Sequence, residues 1–294
     1  MHFTPRNIIG RWSVLWLTIV CAGVLMDGLV HTQNALFSEA DAYERFMGRW
    51  SRRLGPLLVR FADVRDGNAV LDVGSGTGAL AAAVAAAAPS AKIVGIDPSA
   101  SYVAFAQSKR PNDKVMFEVG DAQKMRFDDG AFDRTLSLLV INFIPDPAKA
   151  LLEMKRVTRK GGIVAAAVWD YGAGMEMLRT FWDAAIALRP DDGKKDERHM
   201  PFSGRGELAA LWRGQGLENV LEEALTVETA FSSFDDYWTP FTLKQGPGGA
   251  YAAGLPAAER EALRLRLRQR LVGDGPDHPF VLNARAWAVR GVVP

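Results

Sequence analysis

The stretch that most constrains this chain is "AVLDVGSGTGALAAAVAAAA", residues 69–88. An apolar run carrying Asp72 leads into Gly74-Ser75-Gly76-Thr77-Gly78, and an alanine-rich segment follows as far as Pro89. The run suits a buried strand, the glycines a tight turn, and the alanines a helix that proline stops. Backbone N–H groups in such a turn approach a ligand closely. Gly74, Gly76 and Ala79 also satisfy the dinucleotide pattern G-x-G-x-x-G/A, so the turn alone leaves the nucleotide open.

The same alternation continues. Apolar strands are expected at 92–97, 114–121, 131–140 and 163–170. Helices are expected at 98–110, where proline and serine open the segment, and at 146–162, closed by Gly161-Gly162. A spacing of about 20 residues between strands argues for a parallel sheet covered on both faces. Its ligand then lies at the C-terminal ends of the strands. One or two helices precede this unit at 35–66. After it come a helix and a charged loop, a helix at 206–216, a strand at 217–231, aromatic and Pro/Gly-rich pieces at 232–280 with a helix at 257–271, and a closing strand at 281–291.

The 294 residues allow one large domain, or one domain with a subdomain. A net charge of +1 gives no general attraction to nucleic acid, and the arginines of "REALRLRLRQR" read as one solvated helix face. With one cysteine, Cys21, and four scattered histidines, neither a disulfide framework nor a metal site is expected. Residues 12–26 form an uncharged run of 15, short of the ~20 that span a bilayer. Three readings stand for the 1–34 segment: an anchor giving membrane contact through 12–26, a cleaved signal, or residues upstream of a true start at Met26. The remainder reads as cytoplasmic.

Four features discriminate among nucleotides. Asp72, beside the turn, would repel a pyrophosphate and suit an ammonium. Asp97 ends the second strand, 23 residues after Gly74, where an acid accepts hydrogen bonds from ribose hydroxyls. Asp121 and Ala122 follow the third strand, where they could meet an adenine. "LSLLVINFIPDP" follows the fourth and would lie over the middle of the ligand. The bland alternatives are a plain tight turn for the glycines, a helix N-cap for Asp97 and a turn former for Asp121.

"VLDVGSGTG", "VGIDPS", "GDAQKMRF", "FDRTLSLLVINFIPDP" and "EMKRVTRKGG", in this order, resemble the class I S-adenosylmethionine-dependent methyltransferases. The nearest branch is type 11, which includes quinone-biosynthesis C-methyltransferases. The resemblance covers about residues 40–170, and "AYERFMGRWSRRL" (42–54) looks like the lead helix of many relatives. It implies an α/β fold: a seven-stranded, mostly parallel, doubly wound sheet whose last strand is antiparallel. The divisions are then 35–66 for the lead helices, 67–231 for the cofactor-binding core, 232–280 for a helical cap inserted before the last strand, and 281–294 for that strand. The implied cofactor is S-adenosyl-L-methionine. Asp72 with the backbone of Gly74, Gly76 and Gly78 would hold its methionine part, Asp97 its ribose, and Pro98, Asp121 and Ala122 its adenine. Val140 would sit near the sulfonium, and Tyr43 and Arg49 would close over the methionine carboxylate.

The expected reaction is in-line methyl transfer to a small, partly apolar acceptor, with alignment and desolvation as the protein's contribution. Trp169, Trp182, Phe202, Trp238 and Phe241 are candidates for an apolar acceptor wall. No His-Asp pair marks a base, and position alone offers Asn142, Asp170, Tyr171 and His199. "VINF" stands where an Asn-Pro-Pro-Tyr motif would signal amide or exocyclic-amine methylation. Two other readings stay open: a nicotinamide-dependent oxidoreductase using the same turn, and a membrane-tethered protein that binds the cofactor without turnover.

Overall fold

Strands that are apolar on both faces need cover on both faces, and the chain supplies it. The computed structural model describes residues 40–294; the 1–34 segment with its apolar run lies outside the described residues. Seven strands are formed: β1 (Ala69–Val73), β2 (Lys92–Asp97), β3 (Val115–Val119), β4 (Phe132–Leu138), β5 (Thr158–Trp169), β6 (Glu218–Phe231) and β7 (Phe280–Val292). They make one sheet in the order β3-β2-β1-β4-β5-β7-β6. β1 to β5 pair in parallel, and β7 runs antiparallel between β5 and β6. The order reverses between β1 and β4, which opens a crevice at their C-terminal ends.

Helices α1 (Arg49–Phe61), α2 (Ala79–Ala87), α3 (Ala100–Lys109), α4 (Pro147–Val157), α5 (Glu176–Leu188) and α6 (Glu207–Gly214) cover the sheet. A single π turn, Glu44–Gly48, leads into α1. Trp50, Leu54 and Leu58 of α1 are fully buried, at the spacing of one helix face. Asp146 caps α4 by accepting from the Lys149 N–H at 2.9 Å. Ser99, not Asp97, caps α3, taking the Tyr102 N–H.

The helix expected at 146–162 ends early, at Val157. Thr158 already belongs to β5, paired with Phe132, and its hydroxyl lies 2.6 Å from that of Thr135. Gly161, at φ +72°, and Gly162, where a Cβ would come within 2.6 Å of Thr158, form a bulge in the strand. The glycine pair bends a strand rather than closing a helix.

Between β6 and β7 the chain forms α7 (Phe234–Trp238), a 3-10 turn at Thr239–Leu243, α8 (Gly246–Gly254) and α9 (Ala257–Leu271). Phe241 stacks on Phe181 of α5 at 4.3 Å and meets Phe46 of the π turn edge-on at 5.3 Å. Tyr237 donates to the Met177 carbonyl at 3.0 Å. These contacts hold the segment against the lead turn, over the strand ends. Among the described residues, no helix is long and apolar enough to cross a membrane.

Candidate active site

β1 is the middle of the site because Asp72 lies on it between Gly95 of β2 and Leu136 of β4. Gly95 has to be glycine: a Cβ there would stand 2.5 Å from the Phe117 ring and 2.8 Å from Ser75. The turn after β1 is pinned to β2, since Gly74 and Ser75 both donate to the Ile96 carbonyl, at 2.8 and 2.9 Å. Gly74 has φ +73°, and a Cβ on it would meet Val140 at 2.4 Å. A side chain there would therefore cost both strain and the fit of the β4 loop.

Asp72 is 1% exposed, and among the described residues neither carboxylate oxygen makes a well-formed hydrogen bond. Burial pushes its carboxyl up to about 7; the dipole of the nearby Ala81 N–H opposes this and the charge of Asp97 adds to it. Asp97 is organised differently. Its Oδ2 accepts the Gly76 N–H and its Oδ1 the Ser99 N–H, both at 2.9 Å. Burial still raises it, with those two N–H groups working in the other direction. Asp97 thus sets the shape of the glycine turn, and each of its oxygens keeps a lone pair for a hydroxyl.

Tyr43, Asp72, Gly74, Gly76, Asp97 and Val140 come together around one cleft of about 670 Å³, its open mouth included. Gly78 is one step removed: it starts α2 at φ +89° and faces Phe117. Pro98 and Asp121 are exposed and, with Ala122, stand outside this wall. Asp121 accepts the Gln123 N–H at 2.8 Å, as a turn former does. Arg49 turns away from the cleft, pairs with Asp236 and lies 4.8 Å from the Phe231 ring centre.

Ser51 and Tyr102 line the wall although neither had a role expected from the sequence, and Leu138 and Leu139 line it within the stretch expected over the ligand. Leu139 is buried at φ +65°, a conformation that costs a non-glycine residue about 1–3 kcal/mol. Its N–H is held by the Ala167 carbonyl at 2.8 Å, so β5 fixes the turn that points Val140 at Gly74. Thr77 donates to Glu44, which Arg52 also holds, and the π turn is thereby tied to the glycine turn.

Of the four candidate bases, two are accounted for elsewhere. His199 is exposed, away from the cleft. Asp170 is paired with Arg285 and accepts the Ala173 N–H at 3.0 Å. Tyr171 is buried, and burial above all drives its hydroxyl well above the ordinary range. Asn142, 7% exposed, sits beside that hydroxyl with neither amide atom in a well-formed hydrogen bond. Trp169 and Trp182 are buried, Trp238 and Phe241 are buried residues of the inserted segment itself, and Phe202 lies half-buried at φ +61°.

Residues 71–166 match a family pattern described as a methyltransferase domain. The chain is 30% identical over 189 residues to the malonyl-[acyl-carrier protein] O-methyltransferase of Geobacter sulfurreducens, covering 62% of this chain and 67% of that one. It is 36% identical over 124 residues to a 37.1 kDa protein of transposon Tn4556 from Streptomyces fradiae, covering 41% of this chain and 36% of the relative, so it spans about a third of that protein's length. Among solved structures, a Haemonchus contortus phosphoethanolamine N-methyltransferase, crystallised with phosphomonomethylethanolamine and S-adenosylhomocysteine, superposes with a TM-score of 0.53 at 19% identity. That match covers 87% of this chain and 57% of the other, and it speaks for the fold.

Proposed function

The chain belongs to the class I S-adenosylmethionine-dependent methyltransferases of type 11, and we propose on that footing that the cleft around Asp72 binds S-adenosylmethionine for methyl transfer to a small, partly apolar acceptor. The observation that carries the reading is the Asp72 carboxylate, buried at the glycine turn with no partner of its own. A buried charge without a partner is costly, and an ammonium is the group that relieves it. The α-amino group of the cofactor supplies one. A dinucleotide would bring a pyrophosphate toward the same carboxylate, which counts against the oxidoreductase reading.

In this reading Asp72 holds the ammonium, the turn from Gly74 to Thr77 holds the rest of the methionine part, and Asp97 receives the ribose hydroxyls. Tyr43 and Tyr102, whose rings lie 5.6 Å apart, close the mouth. Arg49, engaged by Asp236, leaves the methionine carboxylate to other donors. Pro98, Asp121 and Ala122 reach the adenine only from the rim. When bound, the cofactor supplies the methyl electrophile on a sulfonium. Leu138, Val140 and Phe143 give the site an apolar wall, which favours a transition state in which positive charge is being lost.

Calorimetry tests this directly. S-adenosylmethionine and S-adenosylhomocysteine are expected to bind in the micromolar range, with no heat from NAD or NADP; the reverse pattern ends the reading. Transfer of labelled methyl into fractionated host metabolites then identifies the acceptor and decides between turnover and mere binding.

A further inference from the structure

Two residues after Val140, and within electrostatic reach of Tyr43, begins a second group of buried polar side chains. Asn142 offers one acceptor and two donors, none used in a well-formed bond. Tyr171 places its hydroxyl beside that amide and feels the charge of Glu197. Glu197 is 4% exposed, and its Oε2 accepts the Trp182 indole N–H at 2.7 Å. The next strand end adds an unpaired buried donor, the indole N–H of Trp169.

The contrast between neighbours makes Glu197 informative. Asp196 is buried too, but it is held by Arg179 and Arg198, and they outweigh its burial. Among the described residues Glu197 makes no ion pair, and Arg179 acts on it only at longer range. The groups facing it are the Trp182 indole and Arg179 from α5, the Gly248 N–H from α8, the Asp196 carboxylate beside it in the chain, and Tyr171. Gly248 lies 3.4 to 3.5 Å from Phe241, Phe181 and Glu197, measured from where a Cβ would stand, so the backbone there runs close over the carboxylate.

Resting on the cofactor reading above, we propose that Asn142, Tyr171 and Glu197 form the acceptor end of the site, and that the acceptor is a neutral hydroxyl or amine whose proton passes to Glu197. Three properties of the group point to this. Unused valences on a buried amide are satisfied when a ligand's polar group meets them. A buried carboxylate with no ion-pair partner takes a proton from a neutral donor, and burial pushes Glu197 up to about 7, in the range where a general base is effective. The carboxylate is surrounded by Phe181, Trp182 and Phe241, packed on one another, and this dry setting favours taking up a proton over holding a charge.

The step balances for a hydroxyl acceptor. Its oxygen gives an electron pair to the methyl carbon, the pair of the broken carbon–sulfur bond stays on sulfur, and the O–H proton goes to the Glu197 carboxylate. A carboxylate acceptor needs no base and would meet the negative charge of Glu197. The site is therefore set against that class.

Phenol and benzoate are the probes, titrated into the full chain loaded with S-adenosylhomocysteine and read by calorimetry and saturation-transfer NMR. Phenol ionises near 10, as tyrosine does, so its own titration stays clear of the measurement. Phenol is expected to bind and benzoate not to. Phenol affinity should rise with pH through about 7 as Glu197 ionises. Glu197→Gln should lower phenol affinity at pH 8 by tenfold or more and abolish that rise. Asn142→Ala and Tyr171→Phe should each weaken phenol several-fold. S-adenosylhomocysteine binding should be unchanged in all three, which also reports that each variant is folded. If Glu197→Gln does not fold, the other two variants carry the test. Benzoate binding more tightly than phenol, phenol affinity indifferent to these changes, or no phenol binding to a loaded protein would each overturn the proposal. Failure of S-adenosylhomocysteine to bind the unmodified chain would instead overturn the reading on which it rests.

Discussion

Asp72 and Asp196 are both buried carboxylates, and their surroundings are opposite. Asp196, in the segment after α5, is enclosed by two guanidiniums and an N–H. Asp72, at the glycine turn, has among the described residues no ion-pair partner and no well-formed hydrogen bond. The protein can complete a buried charge with its own groups, and it does so in one region and not in the other. The first arrangement serves the fold. The second costs stability and is relieved only when something binds.

The sharpest break of this comparison is Asp72→Leu. Cofactor affinity should fall on the order of a thousandfold, about 4 kcal/mol, because the ammonium loses its partner. Stability without ligand should rise by about 1–3 kcal/mol, because an unpaired buried acid has been removed. Calorimetry and urea denaturation measure the two; a fall in both would mean that Asp72 is an ordinary structural residue. Asp196→Ala should do the reverse. It leaves Arg179 buried and poorly paired, and stability should drop by about 3 kcal/mol in the same denaturation assay, with cofactor affinity kept in the fraction that stays folded.

Protonation gives a finer test. The bound state needs Asp72 ionised, whereas burial holds its proton until about pH 7. Binding should therefore release a proton at pH 6 and almost none at pH 8.5, and affinity should fall about tenfold per pH unit below 7. Calorimetry in buffers of different ionisation enthalpy counts that proton. For the ligand-free protein the sign is opposite to the usual carboxylate case. Between about pH 4 and 7 the folded state keeps protons on Asp72 and Glu197 that the unfolded chain has lost. Stability should decline with rising pH across that window and then level off, and Asp72→Leu should flatten the slope.

The smallest effect belongs to Arg49→Ala. It opens a partly exposed pair with Asp236 and removes the contact with Phe231. A loss of about 0.5–1 kcal/mol is expected in the denaturation assay, with less than a threefold change in cofactor affinity. A hundredfold change would instead put Arg49 on the methionine carboxylate.

What could be read in advance follows the reach of each signal. The strand–turn–helix start and the parallel order were legible because Gly74, Pro89 and the apolar runs act on their immediate neighbours. The position of Asp72 beside the turn was legible because it is set locally. The pairing of Arg49 was not legible because its partner, Asp236, is 187 residues away. Glu197 was missed for a related reason. "DDGKKDERH" reads as a solvated charged loop, and only the packing around it shows that two of its acids are buried and that Glu197 is the one without an ion pair among the described residues. Asp97 has a structural role close to the suggested cap but distinct from it. It organises a turn rather than capping α3, so replacing it by alanine would loosen Gly76 along with any ribose contact. That variant cannot separate the two.

The insertion of β7 between β5 and β6 also bears on how the protein is made. β6 is hydrogen-bonded to β7 and to no other strand of the described sheet. On the ribosome, β6 therefore emerges about 60 residues before its neighbour is complete. At roughly 5–20 residues per second, both its edges wait unpaired for several seconds. An open strand invites pairing with another chain, and this is the interval in which nascent copies are most exposed to aggregation and most in need of a chaperone.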